Sequence, residues 1–272
     1  MGVPNSKQSI GGMVINLEKP YYYPGEIVHG KIYCLFSQTF DCKSLEMEIF
    51  AEEYIMFTEN IKKEKSKKKS SKLIEGKNCI FRRVQTILVP ENNVINQGHY
   101  IYPFTFMLPL NLPGSFEYYN HDTTAYIKHI IEVRALPLDS SAQAIMNNIL
   151  FIVRQPPQFF QYPSKMTDSQ FIKIFCMNKG KSSLSIGLEK NYYTIDDKVS
   201  IICELDNTDC SLDIKNIKLE LFQDITLKDS NETTRKISRK VAEYTFPSYN
   251  VSKILSSFIK IARKEDMNQL GQ

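Results

Sequence analysis

The chain has 272 residues, of which 42% are hydrophobic, and its formal net charge is +4. A chain of this length and apolar content buries at least one full core and has room for two domains, which excludes disorder throughout. Lys+Arg 34 nearly balances Asp+Glu 30, so we expect no nucleic-acid partner.

Short apolar segments rich in β-branched and aromatic residues follow the chain up to about residue 230, separated by Gly, Pro, Asn and Asp. This pattern is typical of an all-β sandwich. The strands predicted for the first part of the chain are near 10–17, 27–36, 43–57, 79–89, 100–108, 123–136 and 148–154.

The segment YIYPFTFMLP shows the alternation most clearly. Tyr100, Tyr102, Phe104, Phe106 and Leu108 recur at period two, so one face of the predicted strand is apolar throughout. Pro103 lies on the other face and cannot donate a ladder hydrogen bond, which predicts an edge strand or a bulge.

Three prolines and several polar residues interrupt the pattern in QPPQFFQYPSKMTDSQ. We therefore predict an N-terminal tail at 1–9, a first sandwich at 10–154, a linker at 155–170 and a second sandwich at 171–272. The strands predicted after the linker are near 171–177, 182–190, 198–206 and 214–227.

Two phrases occur twice in the same order. LEKPYYYPGE at 17–26 is similar to LEKNYYTIDD at 188–197, and LEMEIF at 45–50 is similar to IKLELF at 217–222. Such an echo predicts a tandem duplication, each copy being one sandwich because a sheet with one apolar face must bury it against another layer. The second copy is the shorter one, so we expect its sandwich to be incomplete.

The segment VSKILSSFIKIARKE at 251–265 permits two interpretations. Its apolar residues recur at helical spacing with lysines and an arginine between them, which favours a basic amphipathic helix. The alternative is a pair of strands belonging to the second sandwich.

Signals of catalysis and of metal binding are weak. The six cysteines include no CxxC pair, and the four histidines do not supply metal-site spacings, so we expect reduced thiols and no metal or cofactor. A Cys-His nucleophile pair involving His121-Asp122 has no recognisable local signature, and no phosphate-binding glycine loop is evident. We therefore expect no enzymatic activity.

Three stretches resemble the arrestin family. GHYIYPFTFMLPLNLPGSFEY at 98–118 is similar to its G-x-Y-x-x-PF-x-F-x-LP strand followed by LP-x-SF. YYYPGEIVHGKI at 21–32 resembles its PGE-x-V-x-G strand, and 188–224 resembles the opening of its second domain. The resemblance spans roughly residues 10–228, and the order of the motifs makes it specific.

The resemblance implies a tandem pair of immunoglobulin-like antiparallel β-sandwiches. It also implies a non-enzymatic adaptor in endocytosis, protein transport and signal transduction, which binds cytosolic tails or loops of membrane proteins and links them to trafficking machinery. Two alternatives stay open: a coat subunit like that of retromer in endosomal sorting, and a lipid-surface scaffold without protein cargo.

The resemblance also assigns a place to Arg154. In ILFIVRQPPQF at 149–159 it falls where receptor-binding arrestins carry a phosphate-sensing arginine in a polar core, the alternative being a solvated strand end. The chain departs from the family by lacking the paired lysines of the first strand, which reads IGGMVINLEK, and by carrying PPQF instead of PPxY.

Two signals point to a membrane. MGVPNSK matches the M-G-x-x-x-[ST] pattern for N-myristoylation at Gly2. A single acyl chain binds membranes only marginally, at about 10⁴ M⁻¹, so a second signal is normally needed. The segment KKEKSKKKSSK at 62–72 provides one, with lysines at Lys62, Lys63, Lys65, Lys67, Lys68, Lys69 and Lys72.

This basic segment is interpreted either as an anionic-membrane contact or as a solvated hairpin loop. Phosphorylation of Ser66, Ser70 and Ser71 would add negative charge among the lysines and act as an electrostatic switch. No apolar run approaches the roughly 20 residues of a spanning helix, and the N-terminus lacks the apolar core of a signal peptide. We therefore expect a cytoplasmic protein, peripheral at the plasma membrane or at endosomes.

Overall fold

The computed structural model of the protein describes residues 11–61, 70–156, 165–174, 177–190, 193, 199–247 and 254–261. These residues form sixteen strands and a single 3-10 turn, which confirms the all-β prediction. The strands are β1 (Gly11–Leu17), β2 (Tyr21–Tyr22), β3 (Ile27–Phe36), β4 (Phe40–Ile61), β5 (Ser70–Leu88), β6 (Val94–Ile95), β7 (Gly98–Met107), β8 (Phe116–Asn120), β9 (Thr123–Pro137), β10 (Ile145–Val153), β11 (Lys165–Ile174), β12 (Met177–Leu188), β13 (Val199–Asp206), β14 (Asn216–Lys228), β15 (Thr234–Pro247) and β16 (Ile254–Ile261).

The chain divides into two compact units. The first comprises the residues up to Pro156 together with Thr226–Lys236, the turn region of the β14–β15 hairpin. The second comprises Pro157–Ile225 and the residues from Ile237 onward.

Two sheets build the first unit. A three-stranded sheet has the order β1-β3-β7, and a seven-stranded sheet has the order β2-β10-β9-β4-β5, with β6 on β4 and β8 on β9. Their inward side chains form one continuous core, because alternate residues of each strand point to the same face.

The strand that contains Pro103 confirms two expectations. Phe104, Phe106 and Leu108 are buried, and Tyr100 and Tyr102 pack against the core. The strand is β7, which ends its sheet, so the missing N–H of Pro103 costs no ladder hydrogen bond between described strands.

The PGE phrase forms the tight turn that leads into β3. Gly25 has a φ of 80°, a conformation that favours glycine, and the N–H of Glu26 donates to the carbonyl of Tyr23 at 3.1 Å. The Glu26 carboxylate in turn accepts the N–H of Tyr23 at 3.1 Å. Gly25 and Glu26 therefore each have a local structural role in this turn.

Strands β4 and β5 form a long hairpin. The two strands stay in register from Ile61↔Ser70 to Glu52↔Cys79, after which bulges insert Ile80 and then Ile87 into β5. Both inserted side chains pack against the first core, so the bulges turn apolar residues of β5 inward.

In the second unit a four-stranded sheet has the order β11-β12-β13-β16, and β14 pairs with β15. Its core centres on Ile201 and Cys203, against which Leu219, Tyr244 and Phe246 pack. These contacts join the four-stranded and two-stranded sheets as the two layers of a sandwich.

Several boundaries differ from the sequence expectations. Residues 254–261 form strand β16, antiparallel to β13, so the helix interpretation is wrong for them. Strand β11 begins at Lys165, inside the predicted linker. Its start was not predicted because an exposed strand of polar residues shows no apolar alternation. Strand β15 was missed for the same reason, since its first half is mostly polar.

Candidate functional site

The sequence-predicted membrane residues lie mostly outside the described part of the chain. Gly2, Ser66 and the lysines from Lys62 to Lys69 are among those outside it. Ser70, Ser71 and Lys72 are the first three residues of β5, and the side chains of Ser71 and Lys72 are exposed. The basic segment therefore joins the two strands of the long β4–β5 hairpin.

Arg154 follows β10 directly and is half-buried. Its backbone N–H donates to the carbonyl of Tyr22 at 2.8 Å, and its guanidinium carbon lies 3.7 Å from the ring centre of Tyr21. A cation over an aromatic face is stabilised by the ring quadrupole. The role of Arg154 in sensing phosphate stays a prediction.

Strand β5 provides an open sheet edge. It is the terminal strand of the seven-stranded sheet and has one strand neighbour, β4, among the described strands. From Ser70 to Cys79 its pairing with β4 has no bulge. A regular terminal strand presents a row of N–H and C=O groups to which an extended peptide can add.

Side chains of β4 and β9 stiffen the hairpin beside this edge. Tyr54 stacks on Tyr126 with ring centres 5.2 Å apart, and its hydroxyl donates to Glu75 of β5 at 2.9 Å. Lys77 of β5 lies 3.0 Å from the Glu52 carboxylate, which also accepts the hydroxyl of Tyr126 at 3.1 Å. The hydrogen bond to Glu52 raises the pKa of Lys77.

A buried carboxylate ties three strands together on the same outer face. Glu48 of β4 is buried, and Arg82 of β5 and Arg134 of β9 both donate to it, the latter at 2.9 Å. The hydrogen bond from Arg82 holds the pKa of Glu48 below its usual value. Because a buried charge must be paired, these two arginines serve the sheet itself.

The edge of β1 is less open than that of β5. The side chain of Asn147, on β10, donates from Nδ2 to the carbonyl of Met13 at 2.5 Å. A peptide adding along β1 would have to displace this bond. The outer face beside β1 nevertheless holds an apolar depression of about 350 Å³ around Gly12, Val14, Leu35 and Ile101.

Ser115, from the LPGSF motif, has a structural role in the first unit. Its hydroxyl lies 2.9 Å from Nδ1 of buried His129 and also accepts the N–H of Val153 at 2.9 Å. Burial lowers the pKa of His129 to about 4, and the carbonyl of Pro113 offsets part of this effect. The serine thus links β10 to a core histidine.

In the described part of the chain no three Asp, Glu, His or Cys side chains are grouped closely enough to hold a metal ion. The same part contains no helix of the length and hydrophobicity needed to cross a membrane.

Family models account for most of the chain. The model described as "Arrestin (or S-antigen), N-terminal domain" matches residues 12–148, and the model of the C-terminal domain matches residues 178–257. The chain belongs to the arrestin family. Membership of this family supports an arrestin-like adaptor in general terms, and the two domains are β-sandwich folds.

Two individual proteins are among those that are similar to this arrestin-family chain. Arrestin domain-containing protein A of Dictyostelium discoideum is 25% identical over 186 residues, which are 66% of this chain and 32% of that protein. The chain thus spans about a third of its relative's length. The structure of Spo0M, a sporulation control protein of Bacillus subtilis, aligns over 86% of this chain and 91% of its own at 12% identity, with a TM-score of 0.37.

Sequence reasoning missed the depression beside β1. Its signal was the run IYCLF at 32–36, which is apolar on both faces of a strand. Ile32, Cys34 and Phe36 point into the core, so Tyr33 and Leu35 must cover the outer face. The sequence also did not reveal the contacts of Arg235, because its partners, Asp122 and the carbonyl of Thr58, are distant in sequence.

Proposed function

We propose that the protein is an arrestin-type adaptor that binds cytosolic tails or loops of membrane proteins and links them to trafficking machinery. The observation that supports this most directly is the open edge of β5 from Ser70 to Cys79. A cytosolic tail in extended conformation adds to this edge as a further strand.

The side chains along the edge favour acidic tails. Lys72 is exposed at the start of β5, directly after the lysines of 62–69, and its neighbour Leu73 is exposed as well, whereas Lys77 is already paired with Glu52. Backbone hydrogen bonds supply affinity in this mode, while alternate side chains supply specificity. An acidic tail with an apolar residue opposite Leu73 fits this pattern.

The membrane contact is proposed at the end of the same hairpin. The lysines of residues 62–72 each contribute roughly 1 kcal/mol beside an anionic leaflet, so several engaged together exceed thermal energy severalfold. Acylation of Gly2 supplies the second signal. A tail that emerges from the bilayer would then lie next to the β5 edge.

Cys79 allows a direct test of cargo binding, because its thiol is exposed at the end of the regular edge. A photo-crosslinker attached to Cys79 is expected to capture added cytosolic tail peptides of membrane proteins. The control is the same probe on His99→Cys in a Cys79→Ser background, since His99 lies on the other sheet. Equal capture from both positions contradicts edge addition.

The same probe, used in cell extract, separates the alternatives. Crosslinks to membrane-protein tails support the adaptor, and crosslinks to coat subunits support the retromer-like alternative. If the probe captures no protein but the protein sediments with vesicles, the result supports the lipid-surface scaffold.

The membrane contact has its own test. Changing the seven lysines of 62–72 to glutamine is expected to reduce sedimentation with phosphatidylserine vesicles at least tenfold, and Ser→Asp changes at 66, 70 and 71 to reduce it partly. Lys31→Gln, on the other sheet, is the control. Unchanged sedimentation of the glutamine variant rules the contact out.

A further inference from the structure

The outer face of the three-stranded sheet contains a shallow apolar depression. Two cross-strand rows form it: Gly12, Leu35 and His99 lie in one, and Val14, Tyr33 and Ile101 lie in the next. Because Gly12 has no side chain, the β1 position of the first row is open, and a Cβ added there would meet no atom within 4 Å. The resulting volume is about 350 Å³.

The lining is unusually apolar for a sheet face that points outward. Val14 is 60% exposed, Leu35 47% and Ile101 59%. Contiguous exposed apolar surface of this kind marks a binding site more often than scattered single residues do. The volume lies near the lower end of the range for small-ligand sites, about 300–1,000 Å³.

The depression lies where the N-terminal segment joins the fold. Strand β1 begins at Gly11, so Gly12 is the second residue after residues 1–10. At about 3.3–3.6 Å for each residue, the chain from Gly2 to Gly11 spans at most about 30 Å. An acyl group on Gly2 can therefore reach every side chain of the depression.

We propose that this depression binds the N-terminal acyl chain of the same molecule when the protein is not at a membrane. The inference rests on the proposed acylation of Gly2. In that step hydrolysis removes Met1, and the Gly2 amine attacks the carbonyl of a long-chain acyl thioester. An amide bond forms, the C–S bond breaks, and the released thiolate takes up the proton that the amine loses.

The energetics make such a site reversible. One acyl chain partitions into membranes with a constant of only about 10⁴ M⁻¹, so a weak site on the protein competes with the bilayer. Because the depression is open to solvent on one side, it buries only part of the chain and releases it when an anionic surface also attracts the lysines of 62–72.

The test compares acylated full-length chains, produced with an N-myristoyltransferase and verified by intact mass, in sedimentation with neutral phosphatidylcholine vesicles. Gly12→Leu fills the depression and Ile101→Ser removes part of its apolar wall. Leu150→Ser is the matched control, because Leu150 is equally exposed, at 59%, but lies on the other sheet. Each variant is also made with Gly2→Ala, which prevents acylation.

Gly12→Leu and Ile101→Ser are expected to raise vesicle binding at least fivefold over the acylated parent, and Leu150→Ser to leave it unchanged. All Gly2→Ala forms should stay unbound. Without vesicles, acylation should slow amide exchange in β1 and in residues 98–102 independently of protein concentration.

Equal vesicle binding by all acylated forms overturns the proposal, as does failure of the enzyme to acylate the chain. Protection that appears without acylation and grows with protein concentration also overturns it, since the occupant is then a second copy. None of these outcomes touches the crosslinking result at Cys79, so the adaptor function is judged separately.

Discussion

Acid destabilisation of the first unit should depend on one core histidine. His129 is buried on the inner face of β9, and burial lowers its pKa from 6.5 to about 4. The unfolded chain therefore takes up a proton between these values and the folded chain does not. Stability is fully present above pH 6.5 and falls as the pH drops toward 4.

The size of the effect follows from the same values. The interval from 6.5 to about 4, at about 1.36 kcal/mol for each pH unit, corresponds to roughly 3 kcal/mol. That loss is a large part of the stability of a typical domain, which is about 5–15 kcal/mol. Acidic side chains also titrate near pH 4, so the histidine contribution must be isolated by a variant.

The assay is urea unfolding at pH 7.5, 6, 5 and 4. Unfolding is monitored by hydrogen exchange and mass spectrometry of peptides from β9 and β10. These peptides report on the first unit alone. His129→Gln keeps a group that can bond to Ser115 but cannot be protonated, so its stability should fall about 3 kcal/mol less than that of the parent. His99→Gln, at an exposed position, should change nothing. An equal acid-induced loss in parent and His129→Gln would refute the reasoning.

Three further predictions concern packing and ion pairs. Gly30→Ala would place its Cβ 2.4 Å from Phe104, so we expect urea unfolding to show a loss of about 1–3 kcal/mol, and an unchanged midpoint would contradict the packing. Glu48→Gln should cost about 1–2 kcal/mol at pH 7 and less below the usual carboxyl pKa, as measured by the same method; equal losses at both pH values would count against the ion pairs. Arg235→Ala removes a 2.6 Å contact with Asp122 and should speed amide exchange in residues 226–236 severalfold, whereas unaltered exchange would show that the pair contributes little.

The alternation of apolar residues predicted the strands that bury one face. The segment 100–108 and β3 were placed well because every second side chain enters the core. Pro103 predicted an edge strand or a bulge, and the strand that contains it is the edge strand β7. Local signals of this kind need no knowledge of the partner strand.

Strands β11 and β15 were placed poorly for the opposite reason. Most of their described side chains are exposed or half-buried, so their position depends on pairing with a distant strand. The ion pair between Arg235 and Asp122 joins residues far apart in sequence, and only the fold brings them together. Alternation alone cannot report such contacts.

The candidate site shows the same division. The sequence indicated the lysines of 62–72 from composition alone, whereas the open edge of β5 depends on strand order and the depression at Gly12 on cross-strand rows. Recognition of the family came from local phrases such as PGE, whose turn geometry is fixed by Gly25. The pairing of Ser70–Cys79 is regular, and the bulges of β5 lie beyond it at Ile80 and Ile87. The positions of these bulges could not be inferred from the sequence, since both isoleucines look like ordinary strand residues.

The central claim, that a membrane-protein tail adds as a strand to β5, is tested most directly by amide hydrogen exchange of the full chain with and without a saturating acidic tail peptide. Binding should slow exchange in Ser70–Cys79 at alternate residues, because every second amide of a terminal strand points outward. Peptides from β7, the edge of the other sheet, should be unaffected. Protection confined to β7 or to the second unit, with β5 unchanged, would contradict the account.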